Sequence, residues 1–206
     1  MATIKGHHAF LIKEQFKKVM EEKGYAFFDG ARPFNLNIIG IRAKNHRANK
    51  FDDTMMVIYR NKVLEWEVQT SQATTDPGLH HLRNPSNVKG TAILVPGQYR
   101  STYQVGDHKG YPALVQWNGK VRVYRDRNKD GTLNMLKSNI DEGYFGINIH
   151  QAKNKGETYK VDRWSAGCQV FKNATEFKNF IELCKKAQQI FGNSFTYTLL
   201  TQEDII

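Results

Sequence analysis

Hydrophobic and polar positions change period along the chain. Between Ile12 and Lys23, Phe16, Val19 and Met20 fall at helical spacing, lysines and glutamates take the other face, and Gly24-Tyr25 supplies a stop. That pattern predicts an amphipathic helix. From Phe34 to Val123 it gives way to short runs rich in β-branched and aromatic residues: FNLNIIGIR, TMMVIYR, VLEWEVQ, TAILVPGQYR, ALVQWNG and VRVYR. Turn formers such as Asn61-Lys62, Pro77-Gly78, Pro96-Gly97 and Asn118-Gly119 separate them, so the middle of the protein reads as a sheet system. The strand YFGINI precedes His150, and FTYTLL is a last strand. Between them a second helix is expected, with Asn173 as its cap, Glu176 three residues on as in a capping box, and Gly192-Asn193 at its end. The polar stretch from Gln69 to Lys89 reads as an ordered excursion or a binding loop.

The elements give an α+β class that is mainly β. With 206 residues, the chain suits one domain: a helical segment over residues 1–33 packed on a β-rich core over residues 34–206, long enough to bury a core without disulfides or metals. Lys plus Arg outnumber Asp plus Glu by 30 to 20, a formal charge of +10. This favours an anionic partner, whether nucleic acid, phospholipid head groups or an anionic cell-envelope polymer. The basic stretches RAKNHRANK and KEQFKKVMEEK carry no recognised nucleic-acid motif, and a solvated face accounts for them equally. No specific nucleic-acid partner is expected. The first thirty residues lack the apolar core of a signal peptide, and nowhere do 18 apolar residues run together to span a membrane. The chain is therefore expected to be made in the cytoplasm without a signal, and to reach any external target by another route. Two cysteines, Cys168 and Cys184, make no disulfide framework and no zinc spacing.

The most informative stretch is FGINIHQAKNKGETYKVDRWSAGCQVF, residues 145–171. An apolar run ends on His150, a polar loop follows, and a small-residue turn delivers Cys168. A thiol becomes a nucleophile when an imidazole, backbone N–H groups or a helix start stabilises its thiolate. A strand–loop–strand return brings His150 within reach of Cys168, and Ser165, Ala166 and Gly167 are small enough to leave the thiol uncovered. The Gly167 and Cys168 N–H groups then suit an oxyanion hole. The bland alternative is a satisfied core histidine and a buried, inert cysteine.

The letters around this pair resemble the signature of the L,D-transpeptidase catalytic domain, the YkuD-like family, in which a histidine after an apolar strand is followed by Ser/Thr-His-Gly-Cys. Here NIH at 148–150 leads to SAGC at 165–168, and GTAILVPGQY at 90–99 is similar to the family's threonine-proline-x-glycine-x-tyrosine strand, ending on Tyr99. The resemblance runs from about Gly90 to Phe171. It implies a β-sandwich catalytic core and an acyl-enzyme formed on Cys168 from peptidoglycan stem peptides. It also implies His150 as base and Gly167 in the oxyanion hole, with Ser165, Trp164, Gln151 and Tyr99 as candidates along the substrate path; His108 is a candidate to contact substrate or complete the catalytic group where the family's second histidine is missing, against the plainer reading of a surface-loop histidine, and neither cofactor nor metal is expected. Three departures from the pattern involve four positions. Ala166 stands where a second histidine is usual, Gln169 and Val170 where an apolar residue and Arg or Asn often follow the cysteine, and Gln151 where glycine or serine is common. A backbone carbonyl at Gln151 can still accept the imidazole N–H and fix its tautomer. The divergent form, the size and the charge resemble cell-wall-active bacteriophage proteins. Transfer to an amine gives cross-linking and transfer to water gives an L,D-carboxypeptidase or endopeptidase. A non-catalytic binder of an anionic polymer is the reading from another class.

Other signals are weaker. Asp126, Asn128 and Asp130 alternate before Gly131 like the start of a calcium loop, but position twelve is Lys137, and a hairpin turn explains the stretch. His7-His8 and His80-His81 are adjacent pairs, poor for chelating one ion if they lie on strands. Cys184 is in phase with Phe177, Phe180 and Ile181 and reads as core. Trp164 either walls the groove or anchors the turn.

Overall fold

The computed structural model describes residues 1–45 and 47–205; His46, inside the basic stretch RAKNHRANK, and Ile206 lie outside them. The chain runs β1 (Ala2–Lys5), α1 (Gly6–Glu22), β2 (Asn37–Arg42), β3 (Asp53–Arg60), β4 (Trp66–Thr74), α2 (Leu79–Arg83), β5 (Thr91–Leu94), β6 (Gly97–His108), β7 (Tyr111–Gln116), β8 (Val121–Asp126), β9 (Ile140–Gly143), β10 (Ile149–Gln151), β11 (Gln169–Phe171), α3 (Ala174–Phe191) and β12 (Phe195–Thr201).

Eight strands pair in the order β4-β11-β10-β7-β6-β12-β2-β3, and β3 pairs back onto β4, closing the ring. This closed barrel stands where the resemblance implied a β-sandwich; the mainly β, α+β class holds. β5, β8 and β9 form a separate three-stranded sheet. The run TAILVPGQYR, read as one strand, is therefore divided between the two sheets. The break falls at Val95-Pro96, where proline has no N–H to give to a ladder.

Alternation on the barrel strands serves two cores at once. Ile38, Met55, Val57 and Tyr59 join Tyr103, Leu114, Ile149, Phe171, Tyr197 and Leu199 in the larger core, while their neighbours Ile39, Met56 and Ile58 turn the other way. A two-residue period carries successive side chains to opposite faces. On the second face they meet Ala9, Phe16 and Met20 of α1. The helix starts at Gly6, six residues before the expected Ile12, so His7 and His8 are helical, as are His80 and His81 on α2. The strand geometry assumed for both pairs does not apply.

α3 packs Phe177, Phe180, Ile181 and Cys184 into the larger core. Asn173 caps it, its side chain accepting from the N–H groups of Thr175 at 2.9 Å and Glu176 at 3.2 Å. The Glu176 carboxylate pairs with the N-terminal ammonium of Met1, so half of the expected capping box is diverted to hold the chain's start. The polar stretch from Gln69 resolves into the end of β4, the helix α2 and connecting turns. β10 and β11 are parallel. A parallel return needs a long connection, and residues 152–168 provide it.

Candidate active site

His150 lies opposite Val170 in the β10–β11 pair. Cys168 precedes Val170 by two residues, so His150 and Cys168 address the same face of the sheet. Cys168 stands one residue before β11 (Gln169–Phe171), and it does not line the groove that opens beside His150. Cys168 is half-buried and packs against Phe51, Ala152, Val161 and Val170.

The turn that delivers the thiol is built from its own small residues. Gly167 has φ +125°, and a Cβ there would meet the Ala92 carbonyl oxygen at 2.5 Å, so only glycine fits. Ser165 Oγ accepts from the Gly167 N–H at 3.1 Å and donates to the Cys168 carbonyl at 2.8 Å. Below, Gln169 Nε2 donates to the Gly167 carbonyl at 3.2 Å, and its Oε1 accepts from the Tyr197 hydroxyl at 2.9 Å. Deeper still, Asp53 and Asp76 flank the buried Arg42, whose Nε lies 2.9 Å from Asp76 Oδ1 while it donates to Thr75 Oγ1 at 3.1 Å. Burial and the neighbouring Asp76 push Asp53 up to about 6. The turn thus rests on a polar scaffold rather than on apolar packing alone.

Two expectations change here. Ser165 is fully buried and braces the turn, so it does not line a substrate path. The Gly167 N–H is committed to Ser165, which leaves the Cys168 N–H, without an acceptor among the described residues, as the amide available to an oxyanion.

His150 is nearly buried, and its Nδ1 lies 2.8 Å from the Gln151 carbonyl. A carbonyl only accepts, so Nδ1 carries the proton and Nε2 keeps the lone pair. The ring stacks on His108, centroids 4.4 Å apart and planes 19° from parallel. Asn148 holds His108: its Oδ1 takes the Gln116 N–H at 2.8 Å and its Nδ2 meets His108 Nδ1 at 3.0 Å. Tyr111 closes the cluster with its hydroxyl 3.4 Å from His150 Nδ1. Desolvation lowers His150 to about 4 against the opposing Gln151 bond, so the imidazole is neutral at pH 7. Desolvation also raises the Cys168 thiol, against the Asn148 backbone and the Lys109 charge. The thiol donates to the Gly146 carbonyl at 3.3 Å. The resting pair is therefore a neutral thiol and a neutral imidazole, not the thiolate expected from the sequence.

A groove of about 520 Å³ opens beside His150, walled by His108, Lys109, Gln151 and Trp164 among others. Trp164 is 41% exposed and forms a wall of the groove. Gln151 lies at the groove with Nε2 donating to Asn154 at 3.1 Å. Tyr99 does not belong here: it is buried, its hydroxyl donates to the Val95 carbonyl at 2.5 Å and lies 3.2 Å from the Arg122 carbonyl, which makes it a core strut. The Asp126–Asp130 loop is tied internally, Asp126 accepting from the N–H of Asn134 at 3.0 Å and Asp130 from that of Thr132 at 2.8 Å. Cys184 is wholly buried, and burial pushes its thiol far up. Sequence reasoning missed Asn148, Tyr111 and Lys109. The run YFGINI, expected as a strand, is irregular from Tyr144 to Asn148, and β10 begins only at Ile149; the signals were an amide side chain inside that apolar run and a Lys-Gly turn, both residues at positive φ, joining β6 to β7. No family model, curated protein or solved structure matches the chain.

Proposed function

We propose that the protein is a cysteine acyl-transfer enzyme of L,D-transpeptidase type, with an L,D-transpeptidase-like core, acting on peptidoglycan stem peptides. The observation that carries the reading is the tautomer of His150. The Gln151 carbonyl binds Nδ1–H, which leaves Nε2 as a base on the same strand face as Cys168. Because both partners rest neutral, proton transfer accompanies attack instead of preceding it. Sγ gives its proton to Nε2 as the S–C bond forms at the scissile carbonyl, and the Cys168 N–H stabilises the oxyanion. The imidazolium returns that proton to the departing amine as the C–N bond breaks. An amine or water then attacks the thioester and releases the thiol, giving cross-linking or hydrolysis. His108, Tyr111 and Asn148 hold the base in place.

One observation favours a second reading, a binding protein for an anionic polymer with an idle thiol: the thiol's hydrogen bond runs to Gly146 rather than to the imidazole. Incubation of purified peptidoglycan with the protein, followed by fragment analysis, separates the two. New cross-links or trimmed stems that vanish with Cys168→Ala support the enzyme; unchanged muropeptides support the binder. The delivery route, bacteriophage-type or otherwise, belongs to the same proposal.

A further inference from the structure

The commitment of the Gly167 N–H to Ser165 leaves the Cys168 amide as the one backbone donor of the turn for a developing oxyanion. A hydrogen-bond chain through Asn148 prepares another donor. The Gln116 N–H donates to Asn148 Oδ1 at 2.8 Å. A backbone N–H can only donate, so this bond fixes which end of the Asn148 amide is oxygen. Asn148 Nδ2 therefore faces His108 Nδ1 at 3.0 Å and donates to it. Nδ1 then carries the lone pair, and Nε2 carries the proton. Desolvation and Lys109 lower the ring's affinity for a second proton, against Asp107, so His108 is a neutral imidazole at pH 7.

The ring also stands beside the thiol's strand. Ile149 is opposite Gln169 in the parallel pair, and the Gln169 N–H donates to the Asn148 carbonyl at 2.9 Å. This places Asn148, which holds His108, next to Cys168 across the pairing. His108 stacks on His150, centroids 4.4 Å apart. Tyr111, its partner across the β6–β7 hairpin, meets it in a T-shaped contact at 5.4 Å. The ring so held lines the groove, and its Nε2–H has no acceptor among the described residues. The two stacked imidazoles thus have opposite tautomers: His150 keeps a bare Nε2, a base, and His108 keeps an Nε2–H, a donor.

We propose that His108 is a further catalytic residue, a neutral imidazole whose Nε2–H donates to the oxygen of the carbonyl that Cys168 attacks, alongside the Cys168 N–H. This rests on the enzymatic reading above. No proton leaves His108. As the S–C bond forms, negative charge gathers on the carbonyl oxygen and the fixed N–H dipole stabilises it, while His150 alone takes and returns the thiol proton. A cationic His108 would repel the imidazolium that His150 becomes, and the Asn148 bond at Nδ1 keeps that charge away.

Two variants separate donation from mere support of His150. His108→Phe keeps a flat ring against His150 and removes the donor; His108→Gln keeps an N–H donor and removes the ring. Acylation of Cys168 by para-nitrophenyl acetate passes through an oxyanion, whereas alkylation by iodoacetamide occurs at a methylene carbon and develops none, so alkylation controls for access to the thiol. In the folded full chain His108→Phe should slow acylation by on the order of 100-fold, with alkylation as in wild type, and His108→Gln should acylate faster than His108→Phe. Imidazole nitrogen NMR of the wild-type protein answers independently of how the variants fold: at pH 7 His108 should show a protonated Nε2 and a bare Nδ1. Unchanged acylation in His108→Phe, a parallel fall in alkylation, His108→Phe at or above His108→Gln, or a wild-type ring protonated at Nδ1 would overturn the proposal. Peptidoglycan left unprocessed by a protein that meets these expectations would sink the stem-peptide reading and keep the donor; peptidoglycan processing that survives in His108→Phe would do the reverse.

Discussion

Replacing Gly167 by alanine tests whether the turn geometry, and not merely the presence of a cysteine, makes the site. The residue holds φ +125°, a region L side chains avoid, and the new Cβ would stand 2.5 Å from the Ala92 oxygen, 0.9 Å short of ordinary contact at 3.4 Å (3.4 − 2.5). The opposing atom is backbone in β5, so it cannot swing aside. Strain at such a position costs about 1–3 kcal/mol, and displacement of the packed neighbours brings the total to about 2–4 kcal/mol. For a chain of this length each kcal/mol moves the melting point about 2–4 °C, so a fall of roughly 4–16 °C is expected. Gly30→Ala is the control, because a Cβ there meets nothing within 4 Å and its φ is ordinary; it should be neutral or slightly stabilising. Thermal melts by circular dichroism, read beside the rate of Cys168 labelling by iodoacetamide, give both answers. A Gly167→Ala protein that melts within a degree of wild type and labels at the wild-type rate would refute the reasoning.

Three further outcomes follow from the same geometry. With His150 lowered to about 4, the unfolded chain binds its proton first, so this residue's contribution is lost as pH falls from about 6.5 toward 4, by up to about 3 kcal/mol. Asp53, raised to about 6, acts in the opposite sense below pH 6 but is shared by both proteins, so urea midpoints of wild type and His150→Gln should draw together or cross in favour of the variant on going from pH 7 to 4.5; a pH-independent gap would contradict this. Tyr99→Phe should cost about 1 kcal/mol in denaturant unfolding while leaving peptidoglycan processing intact, and lost activity in a stable variant would return Tyr99 to the site. In the folded protein Cys184 should resist iodoacetamide while Cys168 reacts, as peptide mapping would reveal, and Cys184→Ala should cost on the order of 1 kcal/mol.

Much of this was legible in the chain. Apolar runs of strand length marked most of the barrel, and Asn173 with Gly192 bracketed α3, because local patterns and capping chemistry decide those elements. The closure of the ring was not: the β3–β4 hairpin is local, but the pairings of β4 with β11 and of β2 with β12 join strands far apart in the chain, whose register local sequence does not encode. α1 was read six residues short because Gly6, His7 and His8 carry no apolar stripe; tertiary contacts of Ala9 extend the helix instead. The histidine and cysteine were found by their letters, and the Gln151 carbonyl was anticipated. The neutral state of the pair was not, because burial of His150 and desolvation of Cys168 are properties of the packed loop. His108 reached the base only through the β6–β7 hairpin, whose register against β10 no motif announces.

The central claim is that Cys168 carries the acyl group and His150 activates it only during attack. The direct measurement is intact-protein mass spectrometry after a short incubation with soluble muropeptides, with peptide mapping of the adduct, alongside the pH profile of iodoacetamide labelling. The account predicts a thioester mass on Cys168 in wild type, its loss in Cys168→Ala and His150→Ala, and a labelling profile lying above the ordinary thiol range near pH 8.5 that His150→Ala leaves in place. An adduct that survives in Cys168→Ala, or that forms as fast in His150→Ala as in wild type, would contradict it.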